Sequence, residues 1–187
     1  MRHIVLFAAA LSGILIPNVF ADQPNILLFT ADDLHTESLG VYGGKPADLT
    51  PNLDAFAAEG MLFTRAHVNA AICAPCRAVI ATGRYSHRSG AMGFMSARED
   101  VPDIVTTLKA AGYHAGILGK VGHSTPKTSM QWDYEFDQKD LGNGRNPNIY
   151  YQRSQVFLKE CRAAKKPRAL TESLYFQFSV GSPGFQP

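Results

Sequence analysis

The 187-residue sequence has only three cysteines and one tryptophan, and it contains no internal repeat, low-complexity tract or long run of charge. A small, odd number of cysteines argues against a framework of disulfides. A net charge of +2 is too small to favour nucleic acid or an anionic membrane surface as a partner. The hydrophobic share of 45% is instead typical of an ordinary globular protein that buries a fair core.

Residues 1–21 have the pattern of a signal peptide. Arg2 and His3 form a short basic start, an apolar run extends from Ile4 to Ile16, and Val19–Ala21 is an acceptable cleavage site. The apolar run is too short and too interrupted for a comfortable membrane span. We therefore expect a secreted or periplasmic protein without stable membrane insertion.

Apolar runs alternate with helical patterns along the rest of the chain. The run Pro24–Thr30 is continuously apolar, which predicts a strand buried on both faces, as in a parallel sheet. The other predicted strands are Met61–Val68 and Tyr113–Leu118, with a further strand conceivable at Leu174–Val180. The alternation predicts an α/β layered domain with a mostly parallel central sheet.

Three predicted helices have apolar stripes that we assign to the core. The helix at 51–59 is opened by Pro51, ended by Gly60 and turns Leu53, Phe56 and Ala57 inward. The helix Val101–Ala111 turns Ile104, Val105 and Leu108 inward, and the helix Tyr150–Lys165 does the same with Phe157 and Cys161. Cys161 is interpreted as a small buried hydrophobe and not as a reactive thiol.

The most informative stretch is Ile72–Arg84, which predicts a loop that turns into a short helix. Pro75 suits the first position of a helix and Gly83 suits its end. Cys73 therefore lies at the helix N-terminus, where free N–H groups and the macrodipole favour an anion. Arg77, about one turn later, adds a fixed positive charge near the same point. The pattern predicts a sulfur nucleophile beside an anion pocket.

The same residues allow a second interpretation, because Cys73-Ala74-Pro75-Cys76 is also a Cys-x-x-Cys sequence of the kind found in thioredoxin-like redox proteins. Such a motif also follows a strand and opens a helix. It does not, however, explain the acidic and basic residues that follow the other predicted strands.

Those residues are Asp32-Asp33, after the first predicted strand, and Lys120 and His123, after the strand Tyr113–Leu118. Taken singly, each would be a solvated surface group. Open α/β sheets, however, place their ligands at the carboxyl ends of their strands, where all four residues occur. Two adjacent carboxylates also suit a hard divalent cation.

Together these segments resemble the type I sulfatases. The resemblance rests on Cys73-x-Pro75-x-Arg77 followed by Thr82-Gly83-Arg84, with Asp32-Asp33 upstream and Gly119-Lys120-x-x-His123 downstream. The Cys-Ala-Pro run and the Lys-x-x-His spacing are most similar to the iduronate-2-sulfatase-type branch. Cys76 departs from the pattern, since the family most often has serine at that position.

The resemblance implies a sulfatase, or alkaline-phosphatase-like, fold and the hydrolysis of sulfate esters. It implies that Cys73 is converted to formylglycine by a formylglycine-generating enzyme. Asp32, Asp33 and residue 73 would hold a divalent cation, usually calcium. Arg77 and Lys120 would stabilise sulfate charge, and His123 would handle a proton. The implied substrate is a sulfated small molecule or glycan, and a phosphate or phosphonate ester is the nearest rival.

The resemblance covers 22–167, which we interpret as the N-terminal part of a sulfatase domain. We expect 168–187 to be a divergent tail that reflects a truncation or a frame shift. On that expectation the chain is a truncated sulfatase that is inactive alone. The remaining alternatives are a non-catalytic sulfatase fragment and the thioredoxin-like protein.

Overall fold

The computed structural model describes residues 23–45 and 48–175, so the predicted signal peptide lies outside it. Within this part of the chain, four strands alternate with six α-helices. The strands are β1 (Ile26–Asp32), β2 (His114–Leu118), β3 (Tyr134–Phe136) and β4 (Arg168–Tyr175). The α-helices are α1 (Pro51–Glu59), α2 (Cys73–Thr82), α3 (Ser86–Ser89), α4 (Ile104–Ala110), α5 (Val121–Ser124) and α6 (Pro147–Ala164). Short 3-10 helices span Thr36–Ser38, Gly40–Tyr42 and Gln138–Leu141.

The four strands form one parallel sheet in the order β1-β4-β2-β3. β4 pairs with β1 from Ile26↔Ala169 to Asp32↔Tyr175, and with β2 from His114↔Arg168 to Leu118↔Glu172. β4 is last in the described sequence and yet lies between β1 and β2. Because all strands run the same way, their carboxyl ends meet at one edge. The predicted α/β layered fold with a parallel sheet is confirmed.

The core lies on both faces of this sheet. On one face α6 packs against β2 and β4, and the buried cluster there consists of Leu118, Tyr134, Leu141, Tyr150, Phe157, Cys161 and Leu170. On the other face α2 and α4 cover β2 through Ala81, Val105, Ala115 and Met130. Cys161 is fully buried, as predicted. Its surroundings are apolar, and burial raises the pKa of its thiol.

Local sequence signals explain where the helices begin and end. Asp103 caps α4, since its carboxylate accepts the N–H of Thr106 at 2.7 Å. Asn146 caps α6 in the same way. Gly83 ends α2 in the left-handed conformation at φ 62°, which a glycine adopts without a steric penalty. The end of α2 predicted at Gly83 is confirmed, but the helix begins at Cys73, two residues before the start predicted at Pro75.

The predicted strand Met61–Val68 is wrong. These residues form turns and extended coil, and every one of them is exposed. Apolar composition indicates a preference for strand, but a strand forms only where a neighbour completes its backbone hydrogen bonds. Among the described residues no strand pairs with this segment.

Two predictions about burial are also wrong. β1 was expected to be buried on both faces, but it is an edge strand of the described sheet, and Leu27 is 63% exposed. α1 was expected to face the core, but Phe56 is 74% exposed and Leu53 is exposed as well. None of the buried core clusters of the described residues includes a residue of β1 or α1.

The inward face predicted for the helix Val101–Ala111 is partly correct. Val105 is buried, Leu108 is half-buried and Ile104 is exposed. The helix itself is shorter than predicted, because α4 spans Ile104–Ala110. The strand thought conceivable at Leu174–Val180 begins instead at Arg168, and residues beyond Tyr175 lie outside the described part. No helix in the described part of the chain is long and apolar enough to cross a bilayer.

Candidate active site

The residues singled out in the sequence converge at the carboxyl edge of the sheet. Asp32 is the last residue of β1, and Cys73 and Arg77 lie in the first half of α2. Lys120 immediately precedes the short helix α5, and His123 lies within it. An open cavity of about 730 Å³ lies between β1 and α2, and its lining includes Asp32, Cys73 and Arg77. Lys120 and His123 do not line this cavity.

Cys73 is the first residue of α2, where the chain changes from extended to helical backbone. The preceding Ile72 has φ −136° and ψ 140°, and no side chain in the described part of the structure caps the helix there. The helix N-terminus is therefore open toward the cavity. An uncapped helix start favours an anion through its N–H groups and its dipole.

Asp32 is held by two cations at once. Its Oδ2 lies 2.7 Å from Nζ of Lys120, and its Oδ1 lies 3.2 Å from Nη2 of Arg77. All three side chains are at most 10% exposed. Arg77 also donates from Nη1 to Oγ1 of Thr30 at 3.2 Å and to Oγ of Ser124 at 3.4 Å. The arrangement is a cationic pair around one carboxylate.

The two cations determine the protonation of Asp32. Burial by itself raises the pKa of this carboxyl group, but the hydrogen bonds from Lys120 and Arg77 lower it more. The net pKa therefore lies below the ordinary value of 3.8, and Asp32 is ionised at neutral pH. Around Asp32 two cations share one carboxylate, and the exposed Asp33 adds a second carboxyl group to the same cavity.

The backbone around Lys120 is unusual and explains how the lysine reaches Asp32. Gly119 and Lys120 both have positive φ, at 80° and 51°. This left-handed pair turns the chain sharply after β2, and the Lys120 carbonyl then begins α5 by accepting the N–H of Ser124 at 3.0 Å. Asp137 fixes the turn from β3 by accepting the N–H of Val121 at 3.1 Å.

His123 lies on the α5 side of the site, next to an exposed aromatic ring. Its centroid is 5.8 Å from that of Phe94, with an interplanar angle of 65°. Its Nδ1 is buried and has no hydrogen-bonding partner among the described residues. Burial and the positive charges of Lys120 and Arg77 lower the pKa of His123 below its ordinary value of 6.5. His123 is thus a neutral imidazole at neutral pH.

Asp33 differs from Asp32 in its burial and in its backbone conformation. It is exposed, lies in the same cavity lining as Asp32, and has a left-handed backbone at φ 55°. No cluster of three or more histidine, cysteine or acidic side chains placed to hold a metal occurs within 23–45 and 48–175. The adjacent oxygens of Asp32 and Asp33 fit a hard cation such as calcium by ligand type, and they supply part of the six to eight oxygens, roughly, that it takes.

Three contacts in the site were missed in the sequence. Thr30 could have been found from the sequence, because it lies two residues before Asp32 on a strand and therefore on the same face. Ser124 was also recoverable, since it is one helical turn after Lys120. Phe94 gave no signal, because its approach to His123 depends on the tertiary path of the loop after α3.

The model of the sulfatase family matches residues 24–176. The chain belongs to the sulfatase family. The match extends beyond Pro167 and includes the whole of β4. The family and the parallel sheet leave no support for the thioredoxin-like alternative.

Characterised relatives agree with this family. The chain is 36% identical over 151 residues to an ulvan-active sulfatase of Formosa agariphila, covering 80% of this chain and 29% of that sulfatase. It is 47% identical over 107 residues to arylsulfatase A of Bos taurus, covering 54% of this chain and 21% of the relative. The chain therefore spans between about a fifth and three tenths of the length of these two relatives.

Solved structures show the same fold. A protein solved in complex with its substrate D-glucosamine-2-N,6-O-disulfate superimposes with a TM-score of 0.67 at 24% identity, over 88% of this chain and 36% of that one. The phosphonate monoester hydrolase of Agrobacterium radiobacter superimposes with a TM-score of 0.61 at 17% identity. The match covers 82% of this chain and 41% of the hydrolase. A member of the alkaline phosphatase superfamily from Vibrio parahaemolyticus, at 20% identity and TM-score 0.57, covers 88% of this chain and 42% of its own.

Proposed function

We propose that this chain carries the nucleophile and the sulfate-binding cations of a sulfuric ester hydrolase, with Cys73 as the residue converted to formylglycine. The observation that carries the proposal is the position of Cys73. It lies at the uncapped start of α2, in the lining of an open cavity and one turn before the buried Arg77. A nucleophile placed among cationic groups and free N–H groups is suited to an anionic ester.

Arg77 and Lys120 bind the negative charge of the sulfate group. Both cations are held in place by Asp32, so their positions are set before a substrate arrives. Such preorganisation is the main way in which a site stabilises charge that develops during a reaction. Thr30 and Ser124 hold the Arg77 guanidinium group from the other side, which restricts its rotation.

His123 moves the proton. Because its pKa is lowered, the ring is neutral near pH 7 and can accept a proton from a hydroxyl group on residue 73 or return one. The ring of Phe94 contacts His123 edge-on. Formylglycine, as its hydrate, supplies the oxygen nucleophile that cysteine lacks.

Asp32 and Asp33, together with residue 73, would hold the calcium ion that the resemblance implies. When bound, that ion supplies positive charge that polarises the sulfate oxygens. Because both oxygens of Asp32 already contact Arg77 or Lys120, metal binding competes with those contacts.

The substrate class that we infer is a sulfated glycan or a sulfated small molecule. Two relatives support the glycan, since one is named as active on ulvan and another was solved with a sulfated glucosamine as its substrate. We infer a secreted or periplasmic enzyme, as the predicted signal peptide at 1–21 indicates. The Lys-x-x-His spacing of Lys120 and His123 supports the iduronate-2-sulfatase-type branch.

Mass spectrometry tests the modification. The chain is co-expressed with a formylglycine-generating enzyme and digested with trypsin, which releases the peptide Ala66–Arg77. We expect an aldehyde at Cys73 and an intact thiol at Cys76. The matched control is Cys73→Ala, which leaves no aldehyde in the peptide. Conversion at Cys76 alone, or no aldehyde in the wild-type chain, would overturn the assignment of Cys73.

A second experiment tests the reaction independently of conversion. In Cys73→Ser the hydroxyl group can attack an aryl sulfate, but no second hydroxyl is present to release the sulfate again. Because one transfer for each chain is enough, even a chain too slow for measurable turnover should accumulate a sulfate ester on the peptide during prolonged incubation, which adds the mass of one SO3 group. Adding Arg77→Met to this variant should prevent the accumulation; because the change removes a tryptic site, the peptide compared there is Ala66–Arg84. If prolonged incubation with an aryl sulfate leaves the peptide unmodified while an aryl phosphonate modifies it, the rival phosphonate hydrolase is correct.

A further inference from the structure

Two thiols share the first turn of α2 and face the same cavity. Cys73 and Cys76 are three residues apart, both are half-buried, and both belong to the lining of the open cavity of about 730 Å³. The turn that contains them is formed, because the Cys76 N–H donates to the Ile72 carbonyl at 3.0 Å. The third cysteine of the sequence, Cys161, is fully buried in the core on the α6 face. Within the chain, Cys73 and Cys76 are therefore each other's accessible partners.

The helix brings the two side chains close to disulfide geometry. Residues three apart on a helix have Cβ atoms about 5–6 Å apart, and a disulfide needs about 3.5–4.5 Å. A displacement of about 1–2 Å at Cys73 closes the difference. Cys73 is free to make it, since the first residue of a helix donates no intrahelical hydrogen bond and follows an extended residue.

Cys76 has no role in the mechanism derived above. A serine at this position would be nearly the same size and could take no part in sulfur chemistry. Cys76 supplies instead the second half of a Cys-x-x-Cys pair at a helix start, which is the arrangement that dithiol–disulfide proteins use. The second thiol changes what can happen to the first.

We propose that Cys73 and Cys76 form a reversible disulfide that ties up the Cys73 sulfur and withholds it from conversion to an aldehyde. The oxidant is a low-molecular-weight disulfide such as oxidised glutathione. One protein thiolate attacks that disulfide and releases one glutathione thiol, and the other then attacks the mixed disulfide and releases the second. The protein loses two hydrogens, which the two glutathione thiols gain, and excess thiol reverses both steps. The second half of this proposal rests on the proposed function.

The pair is tested on the purified 187-residue chain in buffers with a series of ratios of oxidised to reduced glutathione. After an acid quench and alkylation, we expect the peptide Ala66–Arg77 to be two hydrogens lighter, without an alkyl group, in the oxidising buffers. Cys161 should alkylate after unfolding, which provides an internal reference for free thiol. In the control Cys76→Ser, Cys73 should stay a thiol or carry one glutathione.

Two results would overturn the pair. In the first, both cysteines of Ala66–Arg77 alkylate or carry glutathione at every ratio. In the second, the folded chain is no more oxidised than the same chain in urea, so that the helix contributes nothing. The proposal is supported if the disulfide forms in the folded chain at a lower ratio of oxidised to reduced glutathione than it does in urea.

Exposure to a formylglycine-generating enzyme separates this proposal from the proposed function. The reduced chain should acquire the aldehyde and the oxidised chain should not, while conversion of Cys76→Ser should be independent of the glutathione ratio. Equal conversion of oxidised and reduced chains would overturn the blocking role. If Cys76→Ser and the reduced chain both remain unconverted while the disulfide forms, the pair stands and the assignment of Cys73 as the converted residue is what fails.

Discussion

Asp32 and Lys120 form a 2.7 Å ion pair although their strands are not neighbours in the sheet. Asp32 ends β1, Lys120 follows β2, and β4 lies between those two strands. The pair therefore spans the carboxyl end of β4 and ties together segments that share no backbone hydrogen bond with each other. It positions the lysine that we assign to sulfate binding and stabilises the sheet at the same point.

Replacing Asp32 should cost much more stability than replacing its neighbour. Asp32→Asn leaves Lys120 and Arg77 as two buried cations without their shared carboxylate. We expect the free energy of unfolding to fall by about 3 kcal/mol. This is the lower end of the range for breaking a buried ion pair, because the adjacent cavity is open to water. The matched variant Asp33→Asn, at an exposed residue, should change it by less than about 0.5 kcal/mol.

Urea unfolding monitored by circular dichroism measures both variants. Equal losses for Asp32→Asn and Asp33→Asn would show that the ion pair has no net effect on the folded chain. Thermal shifts alone are less informative, since they depend on the enthalpy of unfolding as well.

The pKa of His123 should rise when Lys120 loses its charge. Burial lowers this pKa first, and the positive charges of Lys120 and Arg77 lower it further. In Lys120→Met one of the two charges is gone, so the imidazolium form becomes easier to reach. Histidine NMR signals followed against pH give the pKa directly. Lys159→Met, on the exposed side of α6, is the control, and a rise of the same size there would contradict the prediction.

Calcium should bind weakly to the 187-residue chain. Two adjacent carboxylates supply few of the six to eight oxygens, roughly, that calcium takes. Asp32 also contacts Lys120 and Arg77 already, so the ion must displace those contacts. We expect calorimetry to show little heat, and Lys120→Met to strengthen binding by freeing one carboxylate oxygen. Tight binding by the wild-type chain, lost in Asp32→Ala, would contradict this account.

Acid should weaken the fold partly through Asp103. Its carboxylate accepts hydrogen bonds from the N–H of Thr106 at 2.7 Å and from Lys127 at 3.0 Å, and although burial raises its pKa, these bonds lower it below the ordinary 3.8. Between the lowered pKa and 3.8 the unfolded chain binds a proton that the folded chain does not. This contribution is complete above 3.8 and is lost as pH falls through the folded pKa.

Asp103→Asn should therefore lower stability by about 1–3 kcal/mol at neutral pH. It should also make the fall in stability below pH 3.8 shallower. The measurement is the free energy of unfolding across pH. Asp100→Asn, whose side chain is 74% exposed, should leave the profile unchanged. An acid profile identical to that of wild type in Asp103→Asn would contradict the prediction.

Gly116 should tolerate no side chain. A Cβ at this position in β2 would lie 2.7 Å from Cε2 of Phe157 and 3.1 Å from Cδ1 of Leu170. Gly116→Ala should cost about 1–3 kcal/mol of unfolding free energy through overpacking. Gly122→Ala is the control, because its Cβ would meet no atom within 4 Å. Recovery of part of the loss by a second change, Phe157→Leu, would confirm the contact, and no recovery would contradict it.

Local signals in the sequence located the site and several of the elements, but not the short elements α3, α5 and β3. Gly83 marks the end of α2, and the carboxyl ends of β1 and β2 carry the acidic and basic residues as expected. The sequence pattern could not show which elements pack against one another in the folded chain. An apolar face such as that of Phe56 indicates a preference for burial, but only the tertiary structure decides whether a partner is present.

The site itself was predicted as a set of residues and not as a set of contacts. The sequence assigned both Arg77 and Lys120 to sulfate binding. In the structure both side chains form ion pairs with Asp32. Such a pairing depends on distances between β1, α2 and β2, which the sequence does not contain. The same holds for Phe94, whose ring approaches His123 across the fold.

The central place of β4 in the sheet has a consequence for the order of events during synthesis. β1 has no partner among the described strands until Arg168–Tyr175 has been made. At the usual rates of translation this strand follows Cys73 by roughly 5–20 s. Throughout that interval the sheet that carries the site lacks its second strand. The topology thus leaves a time window in which a modifying enzyme, or an oxidant, meets Cys73 before the sheet is complete.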